Sequence, residues 1–167
     1  MLKLFVDMDG TLAEFRPDAT MEDMYTPGYF ENLAPNANVV EGLKIFKEEH
    51  PEVVVSVLSC ILPEREKARE EKENWLKVHC PYLAHGENFF IPCGSDKAKL
   101  AIEGENFLLD DHSPNLISFE KCGHGIKLMN GVNGQGIKWK GPRLAATLSP
   151  KELASLLYET MEAILAS

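Results

Sequence analysis

Leu4–Phe15 reads LFVDMDGTLAEF: an apolar run that ends on two aspartates one residue apart, Asp7 and Asp9, with Gly10-Thr11 directly behind them. The run Leu2–Val6 is short and β-rich, which places the acids at the carboxyl end of a strand. Similar runs recur at Val53–Leu58, Asn88–Ile91, Asn106–Leu109 and Ile126–Met129. They read as continuous apolar stretches, the pattern of parallel strands buried on both faces. Helical patterns fill the intervals. Residues 36–50 carry Val39, Leu43 and Phe46 at helical spacing, and residues 63–80 are densely charged, with apolar content gathered near Trp75, Leu76 and Val78, so this second helix reads as solvated. Residues 95–104 and 112–123 announce two more, the latter with Ser113 to cap, Pro114 in the first turn and Gly123 to terminate. Residues 149–167 open on a capping box, Ser149 with Glu152, and set Leu153, Leu156, Leu157, Met161 and Ile164 on one core face. Strands alternating with helices predict an α/β fold, a Rossmann-like parallel sheet with helices on both faces.

Two segments stand outside the alternation. Ala13–Pro35 is aromatic and turn-rich, and reads as a small cap insert after the first strand. Asn130–Pro142 is rich in Gly and Asn and reads as a connector around a short strand. At 167 residues, with 44% hydrophobic and 26% charged content, residues 1–167 are expected to form one domain with a minimal cap at about 13–35. The amino-terminal run is too soon interrupted by acids for a signal peptide, and no run approaches a membrane span, so a cytoplasmic protein is expected. Cys60, Cys80, Cys93 and Cys122 lack metal-binding spacing and read as small core residues. The net charge of −9 argues against a nucleic-acid polymer as partner, since a backbone binder needs a basic stripe. A small phosphorylated ligand is still compatible with it, because a bound metal can invert the local field.

In open parallel sheets ligands bind beyond the carboxyl ends of the strands. Asp7 and Asp9 follow the first strand, Ser59 the second, and Asp110 and Asp111 the fourth, while Lys97 begins the helix before it. Several acids at one site repel each other unless a cation is bound or one stays protonated, and magnesium, a hard ion that takes carboxylates and phosphate oxygens, fits best. Asp7 could then attack phosphorus while Asp9 serves the leaving group as acid. Gly10 permits a sharp turn. Thr11 and neighbouring amides could hold phosphate oxygens, with Ser59 as a neutral donor and Lys97 as a positive charge.

Asp7-Met8-Asp9-Gly10-Thr11 resembles the DxDGT signature of haloacid dehalogenase superfamily phosphatases, with Ser59, Lys97 and Asp110-Asp111 matching the later motifs in order. Residues 26–43, TPGYFENLAPNANVVEGL, are similar to a segment of the 5′(3′)-deoxyribonucleotidases, and FLLDDHSPNL at 107–116 looks like that group's fourth motif. The resemblance extends to about Arg143. It implies magnesium dependence, an aspartyl-phosphate on Asp7, and Asp9 as general acid/base lending its backbone carbonyl to the metal. It further implies Asp111 as direct metal ligand with Asp110 in support, and Phe30 near the base or sugar, with Phe15 and Tyr29 as lesser candidates. Lys99 competes with Lys97 for the third motif. The cap is far shorter than that of the animal nucleotidases, and Ser59-Cys60 stands where they carry threonine and a basic residue, so Cys60 takes a phosphate-side position. A receiver domain also gathers acids and a lysine, but its phosphorylated aspartate follows a middle strand, where this chain has Ser59. The expected activity is hydrolysis of nucleoside monophosphates, foremost 5′(3′)-deoxyribonucleotides. The alternatives are a phosphatase for sugar phosphates or other small phosphoesters, and a catalytically weak nucleotide-binding regulator. Self-association as a homodimer is compatible with all three.

Overall fold

Leu4, Phe5 and Val6 have no solvent exposure, because their strand runs through the middle of the sheet and buries both of its faces. The structure is a computed structural model and describes residues 1–132 and 138–167. In chain order its elements are β1 (Leu2–Val6), α1 (Met21–Tyr25), α2 (Ala37–Glu49), β2 (Val53–Ile61), α3 (Lys67–His79), α4 (Pro81–Ala84) and β3 (Phe89–Pro92). A 3₁₀ turn at Lys97–Leu100 precedes β4 (Glu105–Asp110), α5 (Ser113–Phe119), β5 (His124–Met129), β6 (Arg143–Ala145) and α6 (Pro150–Leu165). The six strands form one parallel sheet in the order β3-β2-β1-β4-β5-β6. Val6 pairs with Val57 on one side and Leu109 on the other. The chain builds outward from β1 to β3, then crosses back to β4, so the carboxyl ends of β1 and β4 flank the switch point where such folds open a ligand crevice.

The larger core cluster joins the sheet to α2, α3 and α6 through Val39, Leu43, Phe46, Trp75, Leu76, Leu153, Leu157 and Met161. Roughly 1.5–3 kcal/mol for each large apolar side chain buried makes this face the main source of stability. The α2–α6 contact is close because of Gly42, where a Cβ would lie 2.8 Å from Leu153 Cδ2. Both bonds of the Ser149–Glu152 capping box are formed at the start of α6. Leu156, expected on the core face, is exposed, and Ala154 takes a buried place. The opposite face is covered by α5, whose Leu116 and Phe119 pack with Phe5, Leu58, Leu108 and Trp139.

Several expectations need correction. The charged helix α3 is not merely solvated: Ala68, Glu71, Lys72, Trp75 and Leu76 form a buried face. The helix expected over 95–104 is a single 3₁₀ turn, and α5 has His112 rather than Ser113 at its N-cap position, with no side-chain cap bond, and ends at Phe119, ahead of Gly123. Only Cys80 is a core cysteine; Cys60 is half-buried and Cys93 and Cys122 are exposed, all four as free thiols. The sequence reading named no strand at Arg143–Ala145, where β6 stands. The connector expected over 130–142 falls partly on residues 133–137, outside the described residues. Among the described residues no helix is long and apolar enough to cross a membrane.

The 13–35 insert leaves and rejoins the core at one place. Ala13 bridges Pro35, Glu14 N–H donates to Ala34 O (2.8 Å) and Asn36 N–H donates to Leu12 O (2.7 Å). The excursion between contains α1 and a turn-rich stretch that folds back over the carboxyl end of the sheet.

Candidate active site

The Asp7 N–H donates to Leu109 O (2.9 Å), so the ladder of β1 runs one residue past the strand and sets Asp7 beside the end of β4. There β4 delivers Asp110 and the chain continues into Asp111. Carboxylate oxygens of Asp7, Asp110 and Asp111 lie within 4.8 Å of one another, and all three residues are buried. Burial, with the charges of Asp110, Asp111 and Asp9 behind it, pushes the Asp7 carboxyl well above the ordinary aspartate range against the pull of Lys97. Lys97 Nζ donates to Asp7 Oδ1 (2.6 Å) and Asp110 Oδ2 (2.7 Å). Burial opposes the Lys97 charge, but these two carboxylates outweigh it and hold the ammonium above the ordinary lysine range. Lys99 is exposed, which decides between the two lysines in favour of Lys97.

Asp110 also accepts from His112 N–H (2.8 Å) and Asn115 Nδ2 (2.9 Å), so both of its oxygens are engaged by the protein. Asp111 is held by Asn130, whose Nδ2 donates to Asp111 Oδ2 and to Gly10 O, each at 2.8 Å. Gly10 is needed here: its φ is +90°, and a Cβ would stand 2.3 Å from Asp111 Oδ2. Three buried carboxylates beside the Lys97 ammonium form a hard, anionic oxygen set, and the upward push on Asp7 expresses the repulsion within it. That donor chemistry fits a magnesium-sized divalent ion. Asp7, Asp110 and Asp111 together could hold such an ion. The Asp9 carboxylate lies outside this group.

Asp9 is served by a residue the sequence reading passed over. Lys72, fully buried on α3, reaches across with its Nζ to Asp9 Oδ2, Ser59 Oγ (2.9 Å) and Cys60 O (2.7 Å). Asp9 Oδ1 and Thr11 Oγ1 are buried with no hydrogen-bond partner among the described residues. Thr11 is a different case from the other expected phosphate ligands. It is fully buried, and its N–H donates to Met8 O (3.2 Å), so that amide is committed to the turn and not offered to the crevice. Burial pushes the Cys60 thiol up to about 11, so it lines the crevice as a neutral group.

Two hollows flank the acids, and Cys60 borders both. The first, about 180 Å³, lies under the cap against Asp9, with Phe15, Met24, Tyr29, Phe30 and Leu33 among its walls. It is mostly apolar. The second, about 450 Å³, has a mixed lining and runs past Ser95, Lys97, His112 and Asn115. Phe30 itself is buried, with its ring 4.6 Å from Lys72 Nζ and edge-on to Tyr29 at 5.1 Å.

No protein-family model and no curated protein matches the chain. Among solved structures it is similar in fold to a chain of the Pnkp1/Rnl/Hen1 complex, with a TM-score of 0.52 and 20% identity over 75% of this chain. The match takes in 45% of that chain, so this protein corresponds to less than half of its length. At that identity the likeness is one of fold.

Of the expected residues, the structure brings Asp7, Asp9, Ser59, Cys60, Lys97, Asp110 and Asp111 to one end of the sheet, with Phe30 on the adjoining cap wall. Lys72, Asn115 and Asn130 were not expected. Lys72 carries a signal that could have revealed it: Ala68, Lys72, Trp75 and Leu76 share a helical face, and a lysine on an apolar stripe needs a buried partner. Asn130 directly follows β5, another strand end at the crevice, but was read as part of a connector.

Proposed function

We propose that the protein is a magnesium-dependent phosphomonoesterase acting on nucleoside monophosphates, foremost 5′(3′)-deoxyribonucleotides, through an aspartyl-phosphate on Asp7. The observation that carries this reading is that Asp7 and Asp9 are each tied to a separate buried lysine beside Asp110 and Asp111 at the switch point of a parallel sheet. Resemblance to the DxDGT phosphatases supports it. An Asp7 carboxylate oxygen attacks phosphorus, the ester P–O bond breaks, and Asp9 gives a proton to the departing oxygen. Asp9 then takes a proton from water, which attacks phosphorus, frees inorganic phosphate and restores Asp7. Lys97 favours the ionised form of Asp7 that attack requires. Lys72 orients Asp9 and, with Ser59, can offer donors to the phosphoryl oxygens. When bound by Asp7 and Asp111, magnesium would offset phosphate charge and let an anion enter an acidic crevice.

The apolar cap cavity beside Asp9 favours a flat base over a polyol, which ranks nucleotides above sugar phosphates as substrates. The test is phosphate release from a panel of deoxy- and ribonucleoside monophosphates and sugar phosphates, in magnesium and in chelator, with Asp7→Asn alongside. Magnesium-dependent release led by deoxyribonucleotides and abolished in Asp7→Asn is the expected result. Full activity in the variant would overturn the mechanism, and a folded wild-type protein that releases nothing would overturn the activity.

A further inference from the structure

Glu71 and Lys72 are neighbours on α3, and both are buried, yet they serve different parts of the molecule. Lys72 holds the catalytic loops. Glu71 enters the cap, where Oε1 accepts from Gly28 N–H (2.8 Å) and Oε2 from Phe30 N–H (3.2 Å). Arg65 completes the arrangement: its Nη2 donates to Glu71 Oε1 (2.7 Å) and to Thr26 O (2.7 Å). Trp75, one turn further along α3, donates its Nε1–H to Leu33 O (2.8 Å). The cap stretch 26–33, which contains no helix or strand, is thus hung from one helix by side chains.

Both members of the Arg65–Glu71 pair keep less than a tenth of their side-chain surface in water. Desolvation offsets much of the attraction in such a pair, and apolar packing would hold a cap closed as well. Direction is what apolar packing would not supply. A carboxylate that grips the amides on either side of Tyr29 sets the path of the backbone there, and with it the places of the Tyr29 and Phe30 rings. Those rings wall the cavity beside Asp9, and the Phe30 ring rests near the same Lys72 ammonium that orients Asp9.

We propose that Glu71, braced by Arg65, is a positioning residue for substrate selection: it fixes the Phe30 wall so that a phosphoester with a flat ring in its leaving group is seated with phosphorus at Asp7. This rests on the phosphomonoesterase reading and adds the device that selects the organic part of the substrate. The experiment compares wild type and Glu71→Gln on thymidine 5′-monophosphate and on glycerol 1-phosphate, which has no ring, with amide hydrogen exchange measured on both proteins. Glu71→Gln should raise KM for the nucleotide by about tenfold, with kcat for it and both constants for glycerol phosphate within about threefold. Exchange should quicken at residues 26–33 while β1 and β4 stay protected. Equal losses on the two esters, a fall in kcat alone, or unchanged exchange over 26–33 would overturn the proposal. Release of phosphate from neither ester by wild type would refute the phosphomonoesterase reading separately. Calorimetric affinity for thymidine 5′-monophosphate then replaces KM: a Kd about tenfold weaker in Glu71→Gln supports the positioning role, and an equal Kd, or no binding by wild type, overturns it.

Discussion

Replacing Lys97 with Met removes a buried ammonium that donates to Asp7 and Asp110 at 2.6 and 2.7 Å, within a group of three acids packed inside 4.8 Å. Methionine matches the length of the lysine stem but leaves both carboxylates without their cation. Breaking a buried pair by removing one partner costs about 3–5 kcal/mol. For a domain of this size that corresponds to a fall of roughly 6–20 °C in melting temperature. The loss should depend on pH, with a sign that follows from Asp7. Its folded-state carboxyl lies above the unfolded value, chiefly through burial. The stability it contributes is therefore fully present below the ordinary aspartate range and is lost as pH rises through the folded value. Without Lys97 the pull that lowers Asp7 disappears, the folded value climbs further, and the loss on going to high pH becomes steeper. The Lys97 ammonium of the wild type is charged throughout, since its own value is raised. Urea unfolding followed by far-UV circular dichroism in chelator should show the full deficit near pH 8 and a smaller one at acid pH, as Asp7 takes up its proton. A deficit that does not change between these conditions, or one below about 1 kcal/mol at pH 8, would refute the account of Lys97 as the counter-charge of the cluster.

Lys72→Met should lower phosphate release by about 10²–10³-fold, because Asp9 and Ser59 lose a shared donor; steady-state assays at saturating magnesium measure this. Gly10→Ala should destabilise the fold by at least about 2 kcal/mol in urea titrations, since φ is +90° and the added Cβ meets Asp111. Magnesium at a hundred times its Kd should stabilise the wild type by about 2.7 kcal/mol in thermal melts, chelator should reverse this, and Asp111→Asn should abolish most of it.

The sheet was legible because β1, β2 and β4 are buried on both faces and write that burial as unbroken apolar runs. The strand β6 was not, because three residues with exposed Arg143 and Ala145 carry no such run. The site acids could be located for a related reason. Asp7 and Asp9 end a buried strand directly ahead of Gly10-Thr11, a pattern written wholly in neighbouring residues. Lys72 and Glu71 were hidden inside a charged helix, where thirteen residues of Lys, Arg, Glu and a few apolar side chains look like a solvated surface. Their burial depends on the cap folding back onto α3, a contact between residues about forty positions apart that leaves no local trace. At Thr11 the structure separates two groups: the turn between Met8 and Ala13 draws the amide inward, while the hydroxyl that the motif offered is buried with no hydrogen-bond partner among the described residues.

On the proposed function, the distribution of charge would let a chain with net charge −9 receive a phosphate dianion. Bulk charge acts at long range and is screened within about 10 Å at ordinary salt, whereas Lys72 and Lys97 sit directly against the acids at the strand ends. Each comes from a different element and is buried, so neither can relax into solvent. Lys72 donates to the partly exposed Asp9 and Lys97 to Asp7, which without its lysine would be an uncompensated buried acid. A phosphoryl group arriving between them brings oxygens of the same charge and hydrogen-bonding type as those carboxylates. The lysines can turn part of their donation to it without becoming desolvated and unpaired. On that reading, the same two contacts that tie Asp9 and Asp7 to the core would be the ones handed over to the substrate.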